Sequence, residues 1–237
     1  MGALLLICSV GSSFAQTDPT QFIDRDSSRP QTVSKNQLLA PDKALRAMER
    51  ARKDIIHGRL ESAQKEITRA LDIAPHFGVA KALQGAIDLE TGNYERAESI
   101  FQQAVGDDPG LGGAYVGMAV VLIHQKRFQA SLPLLDRAEG LLPGAWFVHF
   151  AKAWTHLELG DVEAALKQAE IAERIAGDSE KRSGVSYLRA MVSIHMNDID
   201  TAREHLAEAV ARDRGGDYAV LAKRELERLQ PLLAASR

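Results

Sequence analysis

The stretch GNYERAESIFQQAVGDDP, residues 92–109, decides the fold, because its landmarks return along the chain at a step of 34 residues. Its closing Pro109 lies one step from Pro75 and one from Pro143. The same step joins Ala70, Ala104, Ala138 and Ala172, and takes Ala63 to Ala97, through Ser131, to Ala165. Gly58, Gly92 and Gly160 form a further column, broken once by Lys126. Each period reads as two helices. In the second, Ala80 to Glu90 is the first helix, Thr91-Gly92-Asn93 the turn and Tyr94 to Val105 the second helix, with Asp107-Asp108-Pro109 ending it.

The columns have physical causes. The glycines can take the left-handed backbone that closes a helix and begins a tight turn. Ala51, Ala63 and Ala70 let paired helices approach closely, and Ile67, Phe101 and Leu135 fill the space between them. The prolines stop one unit and set the turn into the next. Pro133 falls inside a second helix, so that helix is expected to start late, with Ser131 as its N-cap.

ESAQKEITRALDIAP (61–75), GNYERAESIFQQAVGDDP (92–109) and LGDVEAALKQAEIAERIAG (159–177) resemble the tetratricopeptide repeat family. The resemblance implies an all-α protein, a right-handed α-solenoid of helix-turn-helix repeats. Five repeats fit, at 44–77, 78–111, 112–145, 146–179 and 183–216, within an array spanning 41–216. The fifth is the weakest, with Asn197 in the glycine column and Arg214 in the proline column. Residues 217–237 read as a capping helix over the last interface, which Pro231 should kink or end.

Upstream of the array, Ala3 to Val10 is apolar, and Ser13 and Ala15 occupy the −3 and −1 places of a signal-peptide cleavage after Ala15. The basic n-region is missing, but the layout makes 1–15 a signal peptide and the mature chain periplasmic or secreted. Residues 16–40, with Pro19, Pro30 and many polar side chains, read as a flexible linker. Cys8 is the only cysteine, so no internal disulfide and no cysteine-based metal site can form. No apolar run reaches the roughly 18 residues of a membrane-spanning helix. Net charge is −3, which gives no electrostatic reason for a nucleic-acid partner.

In the family, the second, fifth, ninth and twelfth positions of a repeat face a concave groove. The resemblance therefore implies a groove lined by Val116, Val120 and Ile123, by Phe147, Phe150, Trp154 and Leu157, and by Tyr187 and Met191 with Ile194. Repeat one adds Leu45, Met48, Arg52 and Ile55. Two readings stay open. Either a partner helix or peptide docks on this apolar, aromatic lining, with Phe150 and Trp154 as anchors, or the stripe is internal packing, filled by the chain's own linker or cap. Some relatives grip a chaperone's C-terminal carboxylate with basic groove residues. Here Ala82/Ala86, Val116/Val120 and Phe150/Trp154 stand in those places and cannot do so.

Catalytic chemistry finds no constellation: there is no nucleophile elbow and no phosphate-cradling loop. His149 and His156 share a helix face but lie two turns apart, about 10 Å, too far to share an ion, so neither metal nor cofactor is expected. The function that follows is a non-catalytic protein-interaction scaffold or adaptor in the cell envelope, with a protein or peptide partner. The alternative is a self-associating structural protein, a homo-oligomer whose groove its own chain fills.

Overall fold

In a computed structural model, residues 40–177, 182–212 and 217–235 are described, and among them every element is helical. The signal-peptide reading and the linker up to residue 39 lie outside the described residues, as does Arg214. The helices come in consecutive pairs: α1 (Asp42–Ile56) with α2 (Leu60–Ile73), α3 (Gly78–Glu90) with α4 (Tyr94–Asp107), and α5 (Gly112–His124) with α6 (Phe128–Leu141). Then come α7 (Trp146–Glu158) with α8 (Val162–Ala176), α9 (Arg182–His195) with α10 (Ile199–Arg212), and a last helix α11 (Asp217–Ala235). The fold is all-α, of the helix-pair repeat class. The chain divides into two compact units, Met1–Pro143 and Gly144–Arg237.

Small residues hold each pair together. Ala63, Ala97, Ser131, Ala165 and Ala202 stand at one place in the second helices, and each is fully buried. So are Ala70, Ala104, Ala138, Ala172 and Ala209, about two turns further on. With only a methyl or hydroxymethyl group at these contacts, the helix axes come close enough for larger side chains to interdigitate. Phe101 is the largest of these, 1% exposed, and its space is made by glycines. A Cβ on Gly117 would lie 2.3 Å from the ring and one on Gly85 3.0 Å from it.

Among the described residues one turn recurs five times. After α3, the Gly92 N–H donates to the Leu89 carbonyl at 3.1 Å and the Asn93 N–H to the Asp88 carbonyl at 2.8 Å. This paired bond is the Schellman closure, which needs a left-handed residue at its corner. Gly58, Gly92 and Gly160 supply it, at φ +68°, +78° and +80°. The break in the glycine column does not break the turn. Lys126 (φ +60°) and Asn197 (φ +59°) adopt the same backbone, with the same bonds from Lys126 to Ile123 and from Asn197 to Ile194. A lysine there carries a strain of about 1–2 kcal/mol that glycine avoids. Lys126 is exposed. Lys126→Gly is therefore expected to raise the unfolding free energy by about 1 kcal/mol after glycine's greater entropy loss, read by urea denaturation.

Two local expectations are corrected. α6 begins at Phe128, not after Ser131, and carries Pro133 in its interior. The Ser131 hydroxyl donates back to the Phe128 carbonyl at 2.8 Å instead of capping. Pro133 is exposed, and the carbonyl its missing N–H leaves free belongs to exposed Gln129, where water can satisfy it. Burial of Ser131, Leu135 and Ala138 on the opposite side holds the helix through the proline. Of the two outcomes expected at Pro231, a kink or an end, the end is excluded, because α11 continues to Ala235.

Candidate protein-docking face

The apolar stripe of the first helices is mostly buried. Val116, Val120 and Ile123 on α5 are at most 3% exposed, and α5 is half-buried only at Tyr115 and Met118. In the second unit Phe150, Trp154, Leu157 and Tyr187 are buried, while Phe147 and Met191 remain half-buried. Leu157 packs with Ala165 and Val192, with Met191 against that cluster, so this end of the stripe is helix-pair core. Of the repeat-one positions, Met48 and Ile55 are buried and Leu45 is exposed.

The second unit has two kinds of lining on one helix. The polar positions of α7 face α8: His149 is buried, with its Nδ1 2.9 Å from the Gln168 Oε1. Lys152 is also buried, and His156 lies 3.5 Å from Asp161. Trp146, Phe150 and Trp154, four residues apart, run down another side. The Trp146 ring meets Phe150 edge-on at 5.9 Å and Phe147 at 6.2 Å. Opposite Phe150 stands Tyr218, in the first turn of α11, 6.5 Å away in the same edge-on sense. Tyr218 also lies 6.2 Å from Tyr187 of α9. Such edge-to-face contacts are favourable because the positive ring edge meets the negative face.

The polar edges of this aromatic set are unevenly satisfied. The indole Nε1 atoms of Trp146 and Trp154 are both buried and have no hydrogen-bond partner. Burial and the nearby Glu225 carboxylate push the Tyr187 phenol well above the ordinary tyrosine range, so it stays neutral. Among the described residues no three His, Cys, Asp or Glu side chains converge on a metal position. No described helix is long and apolar enough to cross a membrane.

Trp146 and Tyr218 are not among the groove residues drawn from the sequence. Trp146 opens its repeat one place before the first groove column, and Tyr218 belongs to a helix beyond the fifth repeat. The i, i+4, i+8 spacing of Trp146, Phe150 and Trp154 is the signal that could have found the first of them.

Residues 88–140 match the sequence profile of the family described as tetratricopeptide repeat. That segment is tetratricopeptide-repeat sequence, and the chain has the fold of that repeat. A comparison with curated protein sequences returns no match. Among solved structures, the chain is similar to TTC0263, a tetratricopeptide-repeat protein of Thermus thermophilus. The two share 18% identity over 77% of this chain and 98% of that one, at a TM-score of 0.67. It is similar to PilW, a type IV pilus biogenesis factor, at 16% identity over 87% and 96% of the two chains and a TM-score of 0.63. It is also similar to YrrB, a repeat protein with an unusual peptide-binding site, at 19% identity over 76% and 92% and a TM-score of 0.54.

Proposed function

We propose that this chain is a non-catalytic protein-interaction scaffold of the cell envelope, and that a partner helix or peptide docks on the aromatic side of α7 in the second unit. The observation that carries this reading is the aromatic pair at the start of α7: Trp146 and Phe147, their rings 6.2 Å apart, are both half-buried, as is Met191 on α9. Apolar side chains left partly exposed gain burial when a partner covers them. Tryptophan on such a surface is a frequent energetic anchor.

The fold supports the reading, since helix-pair arrays present long side-chain surfaces to partners. YrrB, of the same fold, is a peptide binder by its description, and PilW serves pilus biogenesis. The envelope setting rests on the apolar run Ala3 to Val10 with Ser13 and Ala15 behind it.

The test uses the full chain as bait in an envelope extract. Phe147, half-buried beside Trp146, is the residue to change. A Phe147→Glu variant of unchanged helicity should lose the captured partner, and Phe147→Leu should keep it. Retention of the same partner by the folded glutamate variant would refute the docking face.

A further inference from the structure

The helix that opens the array carries charge where later first helices carry their contacts with the repeat before. Phe77, Ala80 and Ile87, at the start of α3 and along it, share one buried cluster with Ala63, Ile67 and Ala70 of α2. On α9, Val192 packs with Leu157 and Ala165 of the preceding repeat. A step of 34 residues back from Phe77, Ala80 and Ile87 stand Lys43, Arg46 and Lys53 of α1, all exposed. The half-buried Gln84 of α3 has exposed Arg50 as its counterpart. The side of α3 that docks on its predecessor is thus, on α1, a basic ridge about 15 Å long.

The ridge is open in charge as well as in space. Lys43, Arg46 and Lys53 make no ion pair among the described residues, and Arg50 shares Glu66 with Arg69. The acids of α1 beyond its first residue are engaged elsewhere, Glu49 with Arg52 and Asp54 with Arg59. Like charges three and four residues apart repel along a helix, and Lys43 stands in the first turn, where the helix end is already positive. Solubility alone is served as well by mixed charge, which avoids this cost. A partner of opposite sign recovers it. Leu45 lies on another side of α1 and is no part of the ridge.

The chain holds one such seat already filled. Arg189 occupies in α9 the place of Arg50 in α1, and its guanidinium pairs with Glu173 of α8, the helix before it. The occupant in that register is a helix, and what it offers the cation is a glutamate. A second copy stacked end to end supplies no such complement. The exposed residues of α11 among those described are Lys223, Arg224 and Arg228 with Asp217, Val220 and Glu227, a net positive set.

We propose that the basic ridge of α1 is a second docking site, and that its partner is a helix with acidic residues at three- and four-residue spacing, lying where the second helix of a preceding repeat would lie. The site belongs to the first unit and does not depend on the docking face of α7. Because charge is its main attraction, the complex weakens steeply as salt is added.

The probe is a fluorescently labelled peptide of residues 162–176, the α8 sequence, carrying Lys167→Glu and Arg174→Glu. It is titrated into the full chain by anisotropy at low salt. The wild type should bind it, and Arg46→Glu combined with Lys53→Glu should weaken binding by about tenfold or more. A probe with glutamine in place of its glutamates should bind neither protein. Equal affinity for the wild type and a folded reversed variant would overturn the proposal. So would equally tight binding of the glutamine probe, or no binding of the acidic probe by the wild type.

Vesicles of phosphatidylglycerol and phosphatidylcholine are the third arm. Retention of the wild type on them, lost in the reversed variant and with no binding of the helix probe, would make a lipid surface the occupant and overturn the helix. If the reversed variant does not keep the circular dichroism of the wild type, Arg46→Gln with Lys53→Gln replaces it, with an expected loss of about threefold. The Phe147→Glu result bears on none of these outcomes.

Discussion

Truncating Phe101 to alanine is expected to lower the unfolding free energy by about 4 kcal/mol, the usual range for an aromatic core truncation. The ring is 1% exposed and belongs to the most tightly specified contact of the first unit. It rises from α4 between α3 and α5, and both neighbours give up a side chain for it, at Gly85 and Gly117. Removing the ring leaves a cavity walled at Gly85 and Gly117 by helix backbone. Backbone relaxes less readily than side chains, so little of the lost packing is recovered. Urea denaturation followed by circular dichroism measures it. A loss below about 1 kcal/mol would mean that the helices collapse onto the cavity.

The second large effect is a reversal of sign at Gly117. In a helix interior, alanine is better than glycine by about 1 kcal/mol, so Gly117→Ala considered alone should stabilise. In this structure the new Cβ would stand 2.3 Å from the Phe101 ring, and the ring is already packed so near the Gly85 backbone that a Cβ there would lie 3.0 Å from it. Overpacking of this kind costs about 1–3 kcal/mol, which outweighs the propensity gain, and the expected net loss is about 1 kcal/mol. In a Phe101→Ala background the clash disappears, and the same substitution should then stabilise by about 1 kcal/mol. The four proteins of that double-mutant cycle isolate the contact. An unchanged sign in both backgrounds would show that the ring and the glycine do not meet.

The parts of the fold legible in the sequence are those set by helix-to-helix distance. An alanine column such as Ala70, Ala104, Ala138 and Ala172 is visible because close approach tolerates only small side chains, and all four are fully buried. The turns are less legible. Their signature is a pair of backbone hydrogen bonds, so Lys126 and Asn197 can hold a corner that glycine holds elsewhere, at a strain that packing of the flanking helices offsets. Pro133 misleads for a related reason. The local rule starts a helix at such a residue, yet burial of Leu135 and Ala138 keeps α6 intact on both sides of it.

The aromatic face is half visible in the sequence. Phe147, Phe150 and Trp154 follow from the repeat register, since register says which side of a first helix a residue occupies. It does not say what lies on that side. That Phe150 meets Tyr218 depends on a helix 68 residues further along the chain. The vacancy that receives Tyr218 is written as a single glycine, Gly184, whose meaning appears only once the ring is in place.

Site-specific photocrosslinking tests the scaffold reading most directly. A benzoylphenylalanine residue replaces Phe147 in the full chain, expressed in the source cells, and Leu45 of the first unit, 37% exposed, serves as the comparison position. The docking face requires a discrete crosslinked protein from position 147 that is missing from position 45. The same products from both positions, or products from position 45 alone, would contradict it.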